Sequence, residues 1–400
     1  MNAAKTRRDP LGHFRPLFAT CDAGFEAILA KELKALGAER VSPMHRGVGL
    51  FGDREVLWRA NLESRIANRI LCPVAEFPAA DREALYEAVK RVHWPAWFTV
   101  EHTIALDASS HKSALTHTAF IAQVAKDAVC DVFRDAYGRR PSVDKHRPDV
   151  RINLRLDSDR CILSLDSSGA RLHRRGYRMR AGTAPVKETI AAGILKRLGY
   201  HANVVLYDPM CGSGTFLIEA ALMASNTPPG LLRVGGEGFG FMRWLTHKKE
   251  AFQAYLRRLE DAILPLEKGR FFGSDVDGAM IDMAEHNSRC IGLSDAFTWR
   301  RLDVADVQAS PEASAPYVFV VCNPPYGARM GEIETLDALY PDLGRTLKVN
   351  FSGARCGVLL GDDAPHRAIG LRANRKTAMR NGAIPCHLFE YEIFPRTNRA

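Results

Sequence analysis

The stretch Asp208-Pro-Met-Cys-Gly-Ser-Gly-Thr-Phe-Leu-Ile-Glu219 decides the fold of this chain. An apolar run, residues 204–207, leads into it, and apolar residues at helical spacing follow from 216 to 223. This order predicts a strand, a glycine turn and a helix. Gly212 and Gly214 allow a tight turn and let the backbone approach a ligand that a Cβ would hold away. The helix that follows would aim its first N–H groups and the positive end of its dipole at that ligand.

A second motif ends another predicted strand, Val318-Phe-Val-Val-Cys-Asn323-Pro-Pro-Tyr-Gly327. The two prolines, Pro324 and Pro325, fix the backbone as an extended and rigid rim. This rim presents the Asn323 amide, the Pro324 carbonyl and the Tyr326 ring, which suit a planar amine held edge-on and stacked. By itself the motif could be a rigid turn, but its combination with the glycine turn favours a binding site.

A third feature is the acidic end of the predicted strand Phe271-Phe-Gly-Ser-Asp275. An acidic residue at this place can accept hydrogen bonds from both ribose hydroxyls of a nucleoside cofactor. Asp277, two residues later, is placed to cap the predicted helix 279–290. We therefore assign ribose binding to Asp275 and helix capping to Asp277.

These motifs together resemble the class I S-adenosylmethionine-dependent methyltransferases that modify exocyclic amines. The resemblance implies a Rossmann-like α/β domain with a doubly wound sheet over residues 183–400, carrying an insertion at 226–268. It also implies S-adenosylmethionine as cofactor, with Asp303 at the adenine amino group and the Val304 backbone at the adjacent ring nitrogen.

The segment Ala184-Pro-Val-Lys-Glu188 opens a predicted helix and resembles a family segment that lies beside the cofactor. Pro185 suits the first helical turn, and Glu188 could instead serve the helix dipole. The predicted cofactor-binding residues are Pro185, Lys187, Glu188, Asp208, Pro209, Cys211, Gly212, Ser213, Gly214, Thr215, Asp275, Val276, Asp303, Val304 and Asn323. The predicted catalytic residues are Asn323, Pro324, Pro325 and Tyr326.

The N-terminal half predicts two small α/β units, residues 14–75 and 76–168. The second unit ends in two alternating runs, Val150–Leu156 and Arg160–Asp166, joined by a short turn. The order helix, strand, helix, hairpin, placed before a methyltransferase, resembles the THUMP RNA-binding domain with its N-terminal ferredoxin-like companion. The predicted fold is therefore ferredoxin-like and THUMP α/β domains followed by the methyltransferase domain.

Positive charge is concentrated in this half of the chain. Residues 1–180 contain 30 Lys and Arg against 22 Asp and Glu, within a net charge of +9 for the whole chain. Such an excess indicates a polyanionic partner, or a solvated surface with ordinary scatter. Five arginines fall within Arg171–Arg180, inside a predicted basic linker, 169–182, which could contact phosphates or simply be solvated. The predicted RNA-binding residues are Arg151, Arg155, Arg171, Arg174, Arg175, Arg178 and Arg180.

Composition excludes several classes of protein. No apolar stretch reaches the roughly 20 residues that span a bilayer, and the N-terminus does not read as a signal peptide. We expect a cytoplasmic protein without a membrane partner. The nine cysteines include no Cys-x-x-Cys pair, so neither a disulfide framework nor a metal site is predicted. The oligomeric state stays open.

The chain as a whole resembles the bacterial 23S rRNA guanine-N2 methyltransferases. This resemblance implies methylation of the exocyclic N2 amine of a guanine in 23S rRNA. A THUMP tRNA guanine-N2 methyltransferase shares the same motifs and is the main alternative. Methylation of DNA amines uses a similar Asn-Pro-Pro-Tyr motif, but the N-terminal half argues against it. A non-catalytic RNA-binding ribosome assembly factor is a further alternative.

Overall fold

The N-terminal half folds around one eight-stranded sheet, because its strands alternate apolar with polar residues and bury one face. The structure is a computed structural model that describes residues 9–178, 186–310, 317–326 and 333–394. The strands of this sheet are β1 (Arg15–Thr20), β2 (Glu39–Met44), β3 (Gly47–Gly52), β4 (Arg69–Pro78), β5 (Thr103–His111), β6 (Ser142–Val143), β7 (Val150–Asp157) and β8 (Arg160–Asp166). The helices of this half are α1 (Glu26–Ala35), α2 (Arg54–Leu62), α3 (Arg82–Lys90) and α4 (Thr118–Tyr137).

The order of strands in this sheet is β2-β3-β1-β4-β8-β7-β5-β6. β4 is the strand that joins the two predicted N-terminal units. Its residues 69–71 pair with β1, and its residues from Leu71 to Pro78 pair with β8. The boundary predicted between residues 75 and 76 therefore falls inside a strand, because one long strand contributes to both halves of a continuous sheet.

The C-terminal half forms a seven-stranded sheet with the order β11-β10-β9-β12-β13-β15-β14. Its strands are β9 (Val204–Asp208), β10 (Phe271–Asp275), β11 (Phe297–Arg301), β12 (Tyr317–Cys322), β13 (Arg355–Gly361), β14 (Arg375–Asn381) and β15 (Ile384–Glu392). The helices are α5 (Glu188–Leu198), α6 (Thr215–Ala224), α7 (Leu231–Val234), α8 (Lys249–Asp261), α9 (Gly278–Cys290) and α10 (Ile333–Asn350).

The topology of this sheet determines where a ligand can bind. β9 pairs in parallel with β10 on one side and with β12 on the other. The strand order therefore reverses at β9, and the chain departs in opposite directions after β9 and β12. All five residues of β9 are buried, as expected for a parallel strand covered on both faces. The turns after β9, β10 and β12 consequently meet at one edge of the sheet.

The predicted insertion, 226–268, is divided between two compact units. The first unit comprises Met1–Cys21, Leu29–Leu172 and Arg233–Leu256, and the second comprises Asp22–Ile28, His173–Leu232 and Arg257–Ala400. Within the first unit, Phe252 and Tyr255 of α8 pack on Trp58, with ring centroids 5.2 and 6.1 Å from it. Part of the insertion is thus anchored by aromatic packing on the fold of the N-terminal half.

Candidate active site

The glycine turn after β9 borders a cavity of about 640 Å³ at the carboxyl edge of the seven-stranded sheet. The structure brings most of the predicted site residues together around it. Those that line it are Asp208, Pro209, Cys211, Gly212, Ser213, Thr215, Asp275, Val276, Asp303, Val304, Asn323 and Pro325. The sequence reasoning missed the apolar part of the wall. These residues are Val186, Met210, Phe216, Met280, Leu302 and Leu339.

The carboxylate of Asp275 joins two turns at this edge. Its Oδ2 accepts a hydrogen bond of 2.9 Å from the Gly212 N–H, and its Oδ1 accepts one of 3.0 Å from the Asp277 N–H. Burial raises the pKa of Asp275 above its usual 3.8, although these backbone donors favour the ionised form. Asp277 accepts from the Ala279 N–H at 2.9 Å, so its predicted capping of α9 is confirmed.

Gly214 ends the glycine turn in the left-handed region, at φ +80°. A Cβ at this position would lie 2.7 Å from the ring of Trp299, which is part of β11. Within the described residues, Gly214 is not one of those that line the cavity. Glycine is therefore required at position 214 by the turn and by the packing of Trp299, whereas Gly212 lines the cavity.

Asp208 provides a second carboxyl group at the base of the cavity. It is 1 % exposed and accepts from the Met210 N–H at 3.2 Å. Burial raises the pKa of Asp208 well above its usual value, and the nearby Asp275 raises it further. The neutral form of this carboxyl is therefore favoured more than that of an exposed aspartate.

The side chain of Asn323 lines the cavity and carries a hydrogen-bond acceptor that no described residue uses. Its Oδ1 is buried and has no hydrogen-bond partner among the residues that the structure describes. Two residues later, the backbone carbonyl of Pro325 accepts a hydrogen bond of 3.0 Å from the hydroxyl of Tyr340. The sequence offered no signal for Tyr340, since a tyrosine within a predicted helix is typical of core packing.

Tyr326 does not occupy the predicted place. Its ring is 3 % exposed and packs against Gly361, and its hydroxyl accepts from the Cys386 Sγ at 3.5 Å. Pro324 is also buried. The prediction that the Tyr326 ring presents a stacking face to the cavity is wrong in this structure, because the ring packs over Gly361 of β13 beside Cys386 of β15.

The residues at the start of α5 also differ from the prediction. The helix begins at Glu188, and Pro185, predicted for its first turn, lies outside the described residues. Lys187 donates to Asp22 at 3.0 Å, and Glu188 is 3 % exposed with Arg178 3.6 Å away. Neither Lys187 nor Glu188 is among the described residues that line the cavity. Their ion pairs attach the start of α5 to Asp22 and Arg178.

Two of the linker arginines are structural. Arg175 is 2 % exposed, and its Nε lies 3.5 Å from Oε1 of the fully buried Glu219 on α6. The Tyr177 hydroxyl donates to the same oxygen at 3.3 Å. Arg178 donates to the Thr215 hydroxyl at the first residue of α6. The prediction of phosphate contacts by Arg175 and Arg178 is wrong in this structure, because their guanidinium groups are sequestered by buried partners.

The other predicted RNA contacts have different environments. Arg171 and Arg174 are exposed, and their role in RNA binding stays a prediction. On β7, Arg151 pairs with Asp107 at 2.6 Å, and Arg155 lies 3.5 Å from Asp157. Arg180 lies outside the described residues.

Comparison with known proteins identifies the family to which these domains belong. A family described as the RMKL-like methyltransferase domain matches residues 175–390. The chain belongs to the RMKL-like methyltransferases. A THUMP domain matches residues 79–166, and an RlmL ferredoxin-like domain matches residues 16–71. The predicted fold class, a ferredoxin-like and a THUMP domain before a class I methyltransferase, is thereby confirmed.

Individual relatives extend over most of this RMKL-like methyltransferase. The ribosomal RNA large subunit methyltransferase K/L of Syntrophotalea carbinolica is 42% identical over 385 residues, which cover 94% of this chain and 53% of that protein. This chain therefore spans about half the length of the K/L relative. A predicted RNA methyltransferase of Synechocystis is 39% identical over 380 residues, covering 95% of this chain and 97% of that one.

A solved structure shows the same fold with a cofactor product. SMU.472, a predicted methyltransferase complexed with S-adenosylhomocysteine, has a TM-score of 0.83 and 27% identity, covering 96% of this chain and 99% of its own. S-adenosylmethionine is the cofactor of this family, as predicted. Among the described residues, no helix combines the length and apolarity needed to cross a bilayer. The same residues contain no group of three His, Cys, Asp or Glu placed to hold a metal ion.

We predict that Arg175→Ala lowers the stability of the protein, whereas Arg174→Ala weakens RNA binding without changing stability. Loss of Arg175 leaves Glu219 buried without its cation and should destabilise the second unit by about 3–5 kcal/mol in denaturant titrations. Loss of the exposed Arg174 should leave stability unchanged and lower the slope of log K against log salt for RNA by about 0.7–0.9. Equal stability of the two variants would contradict the buried ion pair.

We predict that Asp275 makes cofactor binding sensitive to acid. Because burial raises its pKa, Asp275 takes up a proton above the usual 3.8, and protonation removes an acceptor for the ribose. Calorimetry should therefore show S-adenosylmethionine affinity that is full above the raised pKa and falls as pH drops through it. Asp275→Asn should lower affinity about 10–100-fold at neutral pH, the effect of losing a charge-assisted hydrogen bond.

Asp277→Asn is the matched control, because its amide oxygen can still cap α9. It should keep affinity within about twofold, since side-chain caps retain most of their effect in asparagine. A larger loss in Asp277→Asn than in Asp275→Asn would show that ribose binding was assigned to the wrong aspartate.

Proposed function

We propose that this protein transfers a methyl group from S-adenosylmethionine to the exocyclic N2 amine of a guanine in RNA, with 23S rRNA as the favoured substrate. The observation that carries this proposal is the buried Oδ1 of Asn323 at the wall of the cavity, which has no hydrogen-bond partner among the described residues. Leaving such an acceptor without a donor costs about 1–3 kcal/mol, so it is expected to be satisfied by a ligand.

An exocyclic amine supplies the donors that this rim lacks. One amine N–H fits the Asn323 oxygen, and a second acceptor must come from a nearby carbonyl. The Pro325 carbonyl is already occupied by the Tyr340 hydroxyl. In this proposal the second acceptor is the Pro324 carbonyl, as predicted from the Asn-Pro-Pro-Tyr motif. Two acceptors would fix the amine in the plane of the base and favour the positive charge that develops on its nitrogen.

The opposite side of the cavity suits a nucleoside cofactor. Asp275 has one backbone donor on each oxygen, which orients its remaining lone pairs for the ribose hydroxyls. Asp303 and Val304 lie beside the apolar Leu302 and Met280, an environment that suits adenine. When bound, S-adenosylmethionine supplies an electrophilic methyl group. Asn323 then has to orient a weak nucleophile, and no strong base is required of the protein.

The base must leave its stack to reach this rim. Since the Tyr326 ring is buried against Gly361, contact with the base falls to Pro325 and Leu339, which line the cavity. This assignment replaces the stacking role predicted from the sequence.

The choice of RNA rests on the relatives and on charge. The K/L relative is named for large-subunit ribosomal RNA, the Synechocystis relative is named for RNA, and the chain carries a THUMP domain. The net charge of +9 suits a polyanion. A tRNA guanine is the second candidate substrate, because the same cavity would accept it. Action on ribosomal RNA would place the protein in the cytoplasm.

The proposal predicts the product of a direct assay. Purified protein and methyl-labelled S-adenosylmethionine would be offered to unmodified 23S rRNA and, separately, to unmodified tRNA, and the nucleosides identified by mass. N2-methylguanosine in rRNA alone is the expected result. The same nucleoside in tRNA alone would change the substrate and keep the chemistry. Cofactor binding without transfer to either RNA would favour a non-catalytic assembly factor.

We further predict that Asn323→Ala lowers single-turnover methyl transfer by about 10²–10³-fold, the effect of removing one preorganised polar group at a reacting centre. Affinity for S-adenosylmethionine, measured by calorimetry, should change little, because Asp275, Asp303 and Val304 are untouched. Asn323→Asp retains an acceptor oxygen and should keep more activity. Near-normal transfer by Asn323→Ala would remove the role given to this residue.

A further inference from the structure

Helix α10 hydrogen-bonds to the backbone of two separate loops at the cavity. The Tyr340 hydroxyl donates to the Pro325 carbonyl at 3.0 Å, next to the acceptor rim. Further along the helix, the Thr346 hydroxyl donates to the Val304 carbonyl and the Asn350 amide donates to the Val307 carbonyl, both at 2.8 Å. One helix thus contacts the Asn323 rim at one end and the adenine loop, residues 303–307, at the other.

The two loops are otherwise distant in the sheet. The adenine loop follows β11 and the rim follows β12, and β10 and β9 lie between these strands. Three strand spacings amount to about 14 Å. Tyr340 is six residues from Thr346 and ten from Asn350, or about 9–15 Å along a helix. The helix therefore has the length needed to bridge the two loops directly.

The bridging contacts are built into the core. Tyr340 is fully buried and Thr346 is 3 % exposed. Burial raises the pKa of Tyr340 to about 12, so its hydroxyl remains a hydrogen-bond donor at working pH. Leu343 and Leu347 of the same helix are fully buried. A helix held in this way has little freedom to slide, and movement at one loop is resisted at the other.

We propose that α10 sets the distance between the adenine loop and the acceptor rim, with Tyr340 as a positioning residue for methyl transfer. Tyr340 acts through the Pro325 carbonyl, and Thr346 acts through the Val304 carbonyl. Cofactor binding at residues 303–307 then stabilises the rim at residues 323–326 before the base arrives. This inference rests on the proposed function, since it takes the Asn323 rim as the place where the acceptor amine binds.

Three variants test the proposal. Tyr340→Phe removes the hydroxyl and keeps the ring, and Thr346→Val removes the hydroxyl at the adenine loop. Tyr200→Phe is the matched control, because the Tyr200 hydroxyl is buried without a hydrogen-bond partner among the described residues and lies outside the cavity wall. Each full-length protein would be examined by amide hydrogen exchange with and without S-adenosylmethionine, by calorimetry, and by kcat and KM for unmodified 23S rRNA.

The expected pattern distinguishes positioning from general loss of structure. In the wild type and in Tyr200→Phe, S-adenosylmethionine should slow exchange both at 303–307 and in the peptide 317–326. Tyr340→Phe should keep the first protection and lose the second, with cofactor affinity unchanged, kcat reduced about three- to tenfold and KM for RNA unchanged, as expected for one lost hydrogen bond. Thr346→Val should weaken cofactor binding by a similar factor of about three to ten.

Other outcomes overturn the proposal. If Tyr340→Phe behaves like Tyr200→Phe, α10 does not position the rim. If Tyr340→Phe loses protection equally at both loops and melts at lower temperature, its role is structural. If the wild type binds S-adenosylmethionine but methylates no RNA, the proposed function fails. The hydrogen-exchange pattern then still tests whether α10 couples the two loops. If the wild type does not bind the cofactor, both proposals fail.

Discussion

The carboxylate of Asp275 is the contact on which the geometry of the cavity depends. It accepts one hydrogen bond from the glycine turn after β9 and another from the start of its own turn after β10. These two turns are separated by more than sixty residues of sequence, and the parallel pairing of β9 with β10 brings them together. The carboxylate then fixes their separation, so that Gly212 and the Asp275 oxygens keep a constant distance.

The buried ion pairs elsewhere in the second unit fix the positions of side chains more than they increase the free energy of unfolding. Arg175 with Glu219 and Arg178 with Glu188 attach the linker to the helices on either side of the glycine turn. An ion pair of this kind adds little free energy compared with apolar packing, but it is costly to break. A buried charged side chain has few positions where it can meet a partner, so these pairs fix residues 175–178 against α5 and α6.

The sequence predicted those features that neighbouring residues determine. The glycine turn, the cap by Asp277 and the strand leading to Asn323 each follow from turn chemistry, capping rules or strand patterning within a few positions. The course of β4 through residue 75, the burial of Arg175 and the packing of Tyr326 on Gly361 depend on partners far along the chain. An arginine-rich linker has the same composition whether its cations meet phosphate or buried carboxylates. The contact of Tyr340 was not predicted for the same reason, because its partner is a backbone carbonyl, which every residue type possesses.

The acidity of the cavity favours an amide rather than a carboxylate at position 323. Asp208, Asp275, Asp277 and Asp303 all line the cavity, and burial raises the pKa of both Asp208 and Asp275. A fifth carboxylate would add repulsion where desolvation already disfavours charge. A neutral amide offers the same acceptor geometry without that cost. A cationic ligand would favour the ionised carboxylates, so by linkage its binding and their deprotonation support each other. The cavity therefore favours a positively charged cofactor, and the role proposed for Asn323 requires only a neutral amine that is oriented by hydrogen bonds.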